Sequence, residues 1–308
     1  MPRSFALIVS MLAVILFSGA CAQVRNVRVE PRQGFSEAPV VDRDYWKKGA
    51  ITIKSLAKTQ FERQAEALLL QTIATTIDHE TEHFRLLSPD DKQFPDFMKK
   101  ADPFSDPTAA FELNQRARRQ GFNCLLQATL LDIQPVEKKE GIWWFRGTKY
   151  YLNVAVALDL YDPFTAAKIS SQVMESLVKI KSAAHEDYKA GLISNIEAVD
   201  EAIVDMAQEM GERAAEQIDS DHWMAVVVEV QGPQVRLAAE ADAGLEPGDR
   251  FGVFEGRRIM EGLNGEKFIV PGYKVADIEI VTVGNDGVIA RSDAPGDIQP
   301  GDIAIPIK

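Results

Sequence analysis

One segment of the sequence has residue types and a spacing that could bind a catalytic metal. His79, Glu80 and His83 fill the fixed positions of the pattern H-E-x-x-H. Within one helix, such histidines lie one turn apart and bind zinc, and the glutamate activates a water molecule for hydrolysis. The residues that follow, 84–87, have a strand-like apolar pattern, and the spacer Glu82 is charged. We therefore expect a polar helix terminus here, with a zinc hydrolase through His79, Glu80 and His83 as the alternative.

The other sequence patterns typical of catalysis are absent. There is no G-x-x-x-x-G-K-[ST] loop for phosphates, no G-x-G-x-x-G after a strand and no G-x-S-x-G nucleophile turn. Acidic residues are plentiful, yet no pair of them lies in an apolar stretch that would separate two carboxyl pKa values for acid–base catalysis. The sequence therefore predicts a protein that is not an enzyme, with no catalytic residue, no cofactor and no metal site.

The chain is acidic, and this charge excludes one class of partner. Its 308 residues carry a formal net charge of -12. Proteins that bind nucleic acids need a basic surface for the phosphate backbone, so we expect no nucleic-acid partner. The simplest role of the excess carboxylates is solubility. The length leaves room for about two domains.

Residues 1–22 have the composition of an export signal. A basic residue precedes an apolar run of about 13 residues, which is short for a membrane-spanning helix. Two kinds of processing fit the end of this segment. Ser18–Cys21 resembles a bacterial lipobox, in which the thiol of Cys21 takes a diacylglycerol, and the same region fits ordinary cleavage before Gln23. Since Ala22 after the cysteine resembles outer-membrane lipoproteins, we expect an exported periplasmic protein that is anchored to the outer membrane.

The second cysteine has a different setting. If Cys21 is acylated or removed, Cys124 is the only thiol left, and no intramolecular disulfide can form. Cys124 lies in an apolar stretch that is typical of a strand. We therefore expect a small buried core residue rather than a reactive thiol.

The composition divides the rest of the chain into a tether and two domains. Residues 23–48 are rich in Pro, Arg, Glu and Val without a period, as in a tether. In residues 49–220, strand-like segments alternate with segments whose apolar residues recur every three or four positions, which predicts an α/β domain. Its helices are expected near 61–77, 109–120 and 192–218.

The most decisive pattern in this domain lies between Gly121 and Ile180. Residues 123–133 are apolar on both faces, which is typical of a central strand. Residues 151–162 alternate strictly, and their leucines and valines share one face. A turn at Asp162-Pro163-Phe164-Thr165 leads into a third strand over 168–180. We therefore predict an antiparallel ribbon of three strands.

Residues 223–308 change to short strands with frequent glycines. The triplet Pro-Gly-Asp occurs three times, starting at Pro247, Pro295 and Pro300. Proline sets the first central φ of a type II turn and glycine supplies the positive second φ, so these triplets are predicted to form turns. We expect a small antiparallel barrel of five or six strands, since closure removes exposed strand edges.

One aromatic segment has two explanations. Trp143, Trp144 and Phe145 could form an exposed patch for a partner or for lipid headgroups, or they could pack within a hairpin. They fall in the predicted loop 138–149. Together with the polar loop 88–107, it is where we expect function, because the alternating residues of the ribbon are needed for burial.

Three segments together resemble a family of exported assembly factors. They are Phe84–Leu87, the stretch Arg119–Thr129 and the turn Tyr161–Thr165. A predicted helix separates the first two, and the turn joins two predicted strands. This order is similar to the TolB amino-terminal region, the curli-secretion lipoprotein and the middle domain of flagellar assembly protein T. Ala166 stands where that family often has glycine. The stretch Gly244–Val253 resembles the C-terminal barrel of flagellar assembly protein T.

The resemblance implies a fold and a role. The fold is a small mixed sheet packed with helices, followed by a small all-β barrel. The role is a non-enzymatic scaffold that helps an envelope machine assemble, with partners in a flagellar basal body or a secretion apparatus. A regulatory lipoprotein that activates an envelope enzyme is the alternative.

Overall fold

The computed structural model describes residues 45–307, apart from 101, 143, 145, 193–194 and 285–286. Two regions follow each other along the chain: a sheet unit with four α-helices and a barrel. The elements of the sheet unit are β1 (Lys47–Lys54), α1 (Gln60–Glu80), β2 (Phe84–Leu87), α2 (Pro107–Arg119), β3 (Cys124–Glu140), β4 (Gly147–Asp162), β5 (Ala167–Ile180), α3 (Ser182–Lys189) and α4 (Glu197–Ser220). The strands after it are β6 (Ala225–Gln231), β7 (Gln234–Leu237), β8 (Arg250–Phe254), β9 (Arg258–Glu261), β10 (Lys267–Val270), β11 (Lys274–Gly284), β12 (Gly287–Ser292) and β13 (Ile303–Pro306).

The sheet unit is a mixed five-stranded sheet with the order β2-β1-β3-β4-β5. β1 runs parallel to β2 and β3, while β3, β4 and β5 form the antiparallel ribbon that the sequence predicts. The alternating residues of β4 are buried, from Leu152 to Leu160, and they face α1 and α4. The period-two pattern thus correctly identified which face of the ribbon the helices cover.

Local chemistry fixes where the first two helices begin. The Thr59 hydroxyl accepts a hydrogen bond from the Glu62 backbone N–H, and the Glu62 carboxylate accepts one from the Thr59 N–H, which forms a capping box for α1. The Asp106 carboxylate accepts hydrogen bonds from the first backbone N–H groups of α2, and Pro107 follows at the first helical position. Both starts satisfy amide donors that would otherwise lack a partner.

The two faces of the sheet are covered unequally. The apolar stripes of α1 and α4 pack over one face of β1, β3, β4 and β5 and form the larger core. On the other face, a second core gathers around α2 and a 3₁₀ turn at Asp96–Met98, near Phe122 and Leu125. This second core contains Phe94, Phe97 and Met98, so the polar loop expected over 88–107 contributes three buried side chains.

The barrel closes with six strands in the order β11-β12-β7-β6-β13-β8, and β8 pairs with β11. The prediction of a small closed antiparallel barrel is confirmed. β13 has only four residues, and the sequence analysis did not predict it. β9 and β10 form a separate two-stranded hairpin. No helix among the described residues is both long and apolar enough to cross a membrane.

Two of the three Pro-Gly-Asp triplets form the predicted turns. Gly248 and Gly301 both have φ +98°, a backbone conformation that glycine adopts without strain. The aspartates that follow are buried and accept backbone hydrogen bonds, Asp249 from Glu246 N at 2.9 Å and Asp302 from Gln299 N at 2.8 Å. The third triplet, Pro295–Asp297, is a 3₁₀ turn instead.

Three sequence-based boundaries were wrong. The last helix of the sheet unit begins at Glu197 instead of Leu192, which is exposed, and α3 precedes it. The region expected to be a loop over 138–149 consists mostly of the paired ends of β3 and β4. The segment treated as a tether up to residue 48 already contains the start of β1, and Tyr45 is buried in the barrel core. The signal segment and residues 23–44 lie outside the described residues.

Candidate functional site

The predicted histidine pair does not share one helix. His79 lies exposed in the last turn of α1, with Nδ1 3.0 Å from Glu80 Oε1. The helix ends at Glu80 because Thr81 adopts extended backbone dihedrals. His83 lies in the connection to β2, and its ring packs edge-on against Trp46 at 5.5 Å between ring centres. The one-turn spacing that a zinc-hydrolase motif requires is therefore not formed, and a polar helix terminus describes these residues.

One group of three potential metal ligands exists among the described residues, and it is elsewhere. Glu137, His185 and Glu186 place their ligand atoms within 4.8 Å of one another. His185 is buried, and its Nδ1 lies 3.3 Å from Glu186 Oε1. The ammonium of Lys189 lies 3.8 Å from the Glu137 carboxylate and 3.7 Å from that of Glu186. Because Lys189 forms ion pairs with both carboxylates, we interpret the group as the contact that attaches α3 to the ribbon.

The structure also brings together two carboxylates that are distant in sequence. Burial and, as the second cause, the negative charge of Asp162 raise the pKa of Asp221 to about 6. Burial also raises the pKa of Asp162. Asp162 accepts hydrogen bonds from Phe164 N at 2.8 Å and Thr165 N at 3.2 Å, which hold the β4–β5 turn. Sequence reasoning missed this pair, and its contacts indicate a structural role.

Cys124 is the buried core residue that the sequence predicts. It belongs to the larger core, and burial strongly raises the pKa of its thiol. The thiol therefore stays protonated and unreactive. Cys21, the candidate for lipidation, lies outside the described residues.

A cleft of about 400 Å³ separates the sheet unit from the barrel. Four of the charged residues in its lining form ion pairs across the cleft. Lys48 of β1 pairs with Glu240, and Arg85 of β2 lies 3.5 Å from Asp242. Since the cationic and anionic groups neutralise each other, the cleft offers little charge to a ligand. Its pairs connect the two regions instead.

The β4–β5 turn makes an apolar contact between the two regions. Phe164 at its centre is 1% exposed and packs against Ile303 and Ile305 of β13. The Thr165 carbonyl accepts a hydrogen bond from Ile269 N at 2.8 Å. Ala166, the last residue of the turn, has φ +57°, a left-handed conformation that is unusual for a residue with a side chain. The turn that the sequence singled out is thus the point where the ribbon contacts the barrel.

Two more residues of the sheet unit reach the barrel. The buried Arg118 guanidinium of α2 donates a hydrogen bond to the Gly256 carbonyl at 3.3 Å. Burial lowers the Arg118 pKa to about 10, and Asp162 and Asp302 act in the opposite direction. On the far side, the Tyr45 hydroxyl donates to Asp249 Oδ2 at 3.1 Å. These contacts hold the barrel against one end of the sheet.

The opposite end of the ribbon projects into solvent. The last ribbon pair that includes β5 is Tyr150 with Ile180, and beyond it β3 and β4 pair only with each other. We call residues 138–149 the arm. Three strand pairs, from Lys138–Lys149 to Glu140–Gly147, carry its tip roughly 10 Å beyond the third strand. Every described residue of the arm is exposed.

The arm combines a basic charge with large apolar side chains. Lys138, Lys139, Arg146 and Lys149 against Glu140 give it a net charge of +3 (four minus one), in a chain whose net charge is -12. Ile142 and Trp144 at the tip are 82% and 77% exposed. Like charges directly opposite each other, here Lys138 and Lys149, destabilise a strand pair. An isolated two-stranded hairpin is marginally stable, so these residues are suited to contacting another molecule rather than to folding.

Sequence reasoning located the arm but not its form. The sequence identified the aromatic segment and its position within 138–149, but it predicted a loop where the ends of β3 and β4 pair. Of the two explanations for the aromatic residues, exposure applies to Trp144, while Trp143 and Phe145 lie outside the described residues. The change of charge sign between the arm and the rest of the chain is a signal that could have been found from the sequence.

No known family model and no curated protein matches this chain. Among solved structures, it is similar to a neuraminyllactose-binding hemagglutinin homologue of Helicobacter pylori, with TM-score 0.33, 11% identity, and coverage of 59% of this chain and 96% of that one. The hypothetical protein CT253 of Chlamydia trachomatis gives TM-score 0.38 at 11% identity, with 57% and 99% coverage. A minor lipoprotein of Acinetobacter baumannii gives 0.30 at 13%, with 56% and 94%. Likeness at this level establishes neither a family nor a function.

Proposed function

We propose that this protein is a non-enzymatic scaffold of the bacterial envelope, exported and anchored to the outer membrane through Cys21. The observation that carries the proposal is the arm at residues 138–149, which is basic, exposed at every described residue and apolar at Ile142 and Trp144. Such a surface suits a protein partner with an acidic rim and an apolar pocket, because the two kinds of contact combine charge attraction with burial.

The resemblance noted in the sequence indicates what the partner is. The domain order of a TolB-like sheet followed by a flagellar-type barrel points to components of a flagellar basal body or of a secretion apparatus. The firm attachment of the barrel to the sheet unit supports a scaffold, since a rigid body presents the arm in a fixed direction.

The test is site-specific crosslinking in the native envelope. A photoreactive residue is placed at Ile142 in the arm and, as a matched control, at Leu263 in the β9–β10 hairpin, which is 105% exposed. We expect Ile142 to crosslink to a basal-body or secretion component, and Arg146→Glu with Lys149→Glu to abolish that product. The same products at both positions, or none at Ile142, would overturn the assignment of the arm.

The lipid anchor at Cys21 and the zinc-hydrolase alternative have separate tests. The intact mass of the mature protein should show a diacylglycerol on Cys21, and a mature chain that begins at Gln23 without an adduct would contradict the anchor. Purified protein with one bound zinc that is lost in His79→Ala would favour the hydrolase alternative instead.

A further inference from the structure

The outer edge of the sheet at β5 is long and has no neighbour among the described residues. β5 has 14 residues and pairs only with β4. The backbone groups on its other side therefore lie at the edge of the sheet. No backbone hydrogen bond joins residues 167–180 to an element other than β4 in the described part of the chain. The strand contains no proline, and its single bulge lies beside Leu160 and Tyr161, at the turn. An edge of this kind is a template for pairing with another strand.

The side chains of β5 divide into two sets. Between Ser170 and Ile180, the even-numbered residues face the helices, opposite the buried residues of β4. The odd-numbered residues face the open side of the sheet and are all exposed: Ser171, Val173, Glu175, Leu177 and Lys179. The side chains of Glu175 and Lys179 form no hydrogen bond or ion pair among the described residues. In a strand they are about 13 Å apart, so they cannot pair with each other.

We infer that β5 pairs antiparallel with β5 of a second copy of this chain, about a two-fold axis at Leu177. In this register, Leu177 lies opposite its own copy, and Glu175 of each chain lies opposite the partner's Lys179. Two symmetric ion pairs therefore flank one leucine contact on the open face. On the helix-covered face, Met174 lies opposite the partner's Ile180. The two five-stranded sheets become one sheet of ten strands.

Symmetry and charge together disfavour the neighbouring registers. A two-fold axis perpendicular to the sheet keeps each face on its own side, so odd-numbered residues must pair with odd-numbered residues. Within that set, an axis two residues earlier places Glu175 opposite its own copy, and an axis two residues later places Lys179 opposite its own copy. Like charges directly opposite each other are destabilising. An axis one residue before Leu177 places Glu175 opposite the partner's Leu177, and an axis one residue after it places Lys179 there.

Crosslinking of one introduced, exposed cysteine by a short bis-maleimide tests the register of the β5–β5 pair. The full chain carries Cys21→Ser, which leaves the buried Cys124 as the other thiol. Leu177→Cys should crosslink to a covalent dimer, because paired residues lie about 5 Å apart. Val173→Cys, equally exposed on the same strand, lies about 27 Å from its copy in this register and should not crosslink. Equal yields at both positions, or no dimer with Leu177→Cys, would overturn the inference.

Charge reversal provides a test without cysteines. The monomer–dimer equilibrium is measured by sedimentation of the Cys21→Ser chain. Glu175→Lys alone and Lys179→Glu alone each place two like-charged pairs in the interface, and we expect the dissociation constant to rise about tenfold. Both changes in one chain restore opposite charges and should restore the constant. A monomer at all concentrations, or a dimer that is indifferent to the single reversals, contradicts the pairing. Because the arm takes no part, crosslinking at Ile142 is unaffected by either result.

Discussion

The two ends of the β3–β4 ribbon are built from the same pair of strands, but they lie in opposite environments. At one end, Cys124–Leu130 is buried throughout, and the β4–β5 turn places Phe164 against the barrel. At the other end, no third strand pairs with the described residues of the arm, and Ile142 and Trp144 are largely exposed. Both ends carry large apolar side chains. The difference is that Phe164 is buried against the barrel, whereas the two side chains of the arm are largely exposed.

This contrast separates apolar residues that fold the protein from those that are available to other molecules. Fully burying an aromatic or aliphatic side chain contributes about 1.5–3 kcal/mol, and Phe164 gains this inside the monomer. The arm gains nothing comparable until another surface covers it. Mutations at the two ends should therefore differ in kind, with loss of stability at the first and loss of binding at the second.

The largest effect is expected at the barrel end. Phe164→Ala should lower the free energy of unfolding by about 3–5 kcal/mol, because it removes a buried ring and leaves a cavity between the turn and β13. Chemical denaturation checks this, and Leu263→Ala, fully exposed, serves as the control with less than about 0.5 kcal/mol. A small effect of Phe164→Ala would mean that the turn does not depend on the barrel.

Asp221→Asn should give a pH-dependent effect close to this junction. The pKa of Asp221 is raised from 3.8 to about 6, so the folded protein binds its proton more tightly than the unfolded chain does. This group therefore loses stabilising effect as the pH rises from about 4 through 6, where the buried carboxylate must ionise. The variant should nearly equal the wild type at pH 4 and be about 3 kcal/mol more stable at pH 8. Equal stability at both pH values would contradict the raised pKa.

The turn itself offers a smaller test. Ala166 has φ +57°, where a side chain is strained and glycine is not. Ala166→Gly should therefore stabilise the protein by about 0.5–1 kcal/mol. Ala167→Gly, the next residue and the first of β5, is the control and should destabilise it, because glycine weakens a strand. Thermal unfolding of the two variants distinguishes them by sign.

The smallest effect on stability is expected at the arm. Trp144→Ala should change the free energy of unfolding by less than about 0.5 kcal/mol, because the side chain is 77% exposed. The same variant should lose the envelope crosslink formed from Ile142. A loss of stability comparable with that of Phe164→Ala would remove the distinction between the two ends of the ribbon.

Local patterns in the sequence were sufficient for most of the fold. The alternation over 151–162 predicted β4 and its buried face, and the doubly apolar stretch predicted β3 as a central strand. Both depend on side-chain periodicity, which is a property of the strand itself. Where a boundary depended on contacts distant in sequence, prediction failed. Leu192 continues the helical stripe of α4, yet it is exposed because α3 and a connection precede the helix.

The site was predicted only in part for the same reason. The H-E-x-x-H pattern names residue types, but the end of α1 at Glu80 prevents the shared helix face. The aromatic segment was recognised, whereas its projection from the sheet depends on β5 ending at Ile180, ahead of the arm.

The sequence by itself determined the strands of the ribbon, most strands of the barrel and the turns at Pro247 and Pro300, because periodicity and the φ preferences of proline and glycine act over a few residues. Only the tertiary structure decided what each end of the ribbon contacts. It placed Phe164 in the barrel, brought Asp162 close to Asp221 and left the arm and the edge of β5 uncovered. Burial depends on which distant elements meet, and no local pattern contains that information.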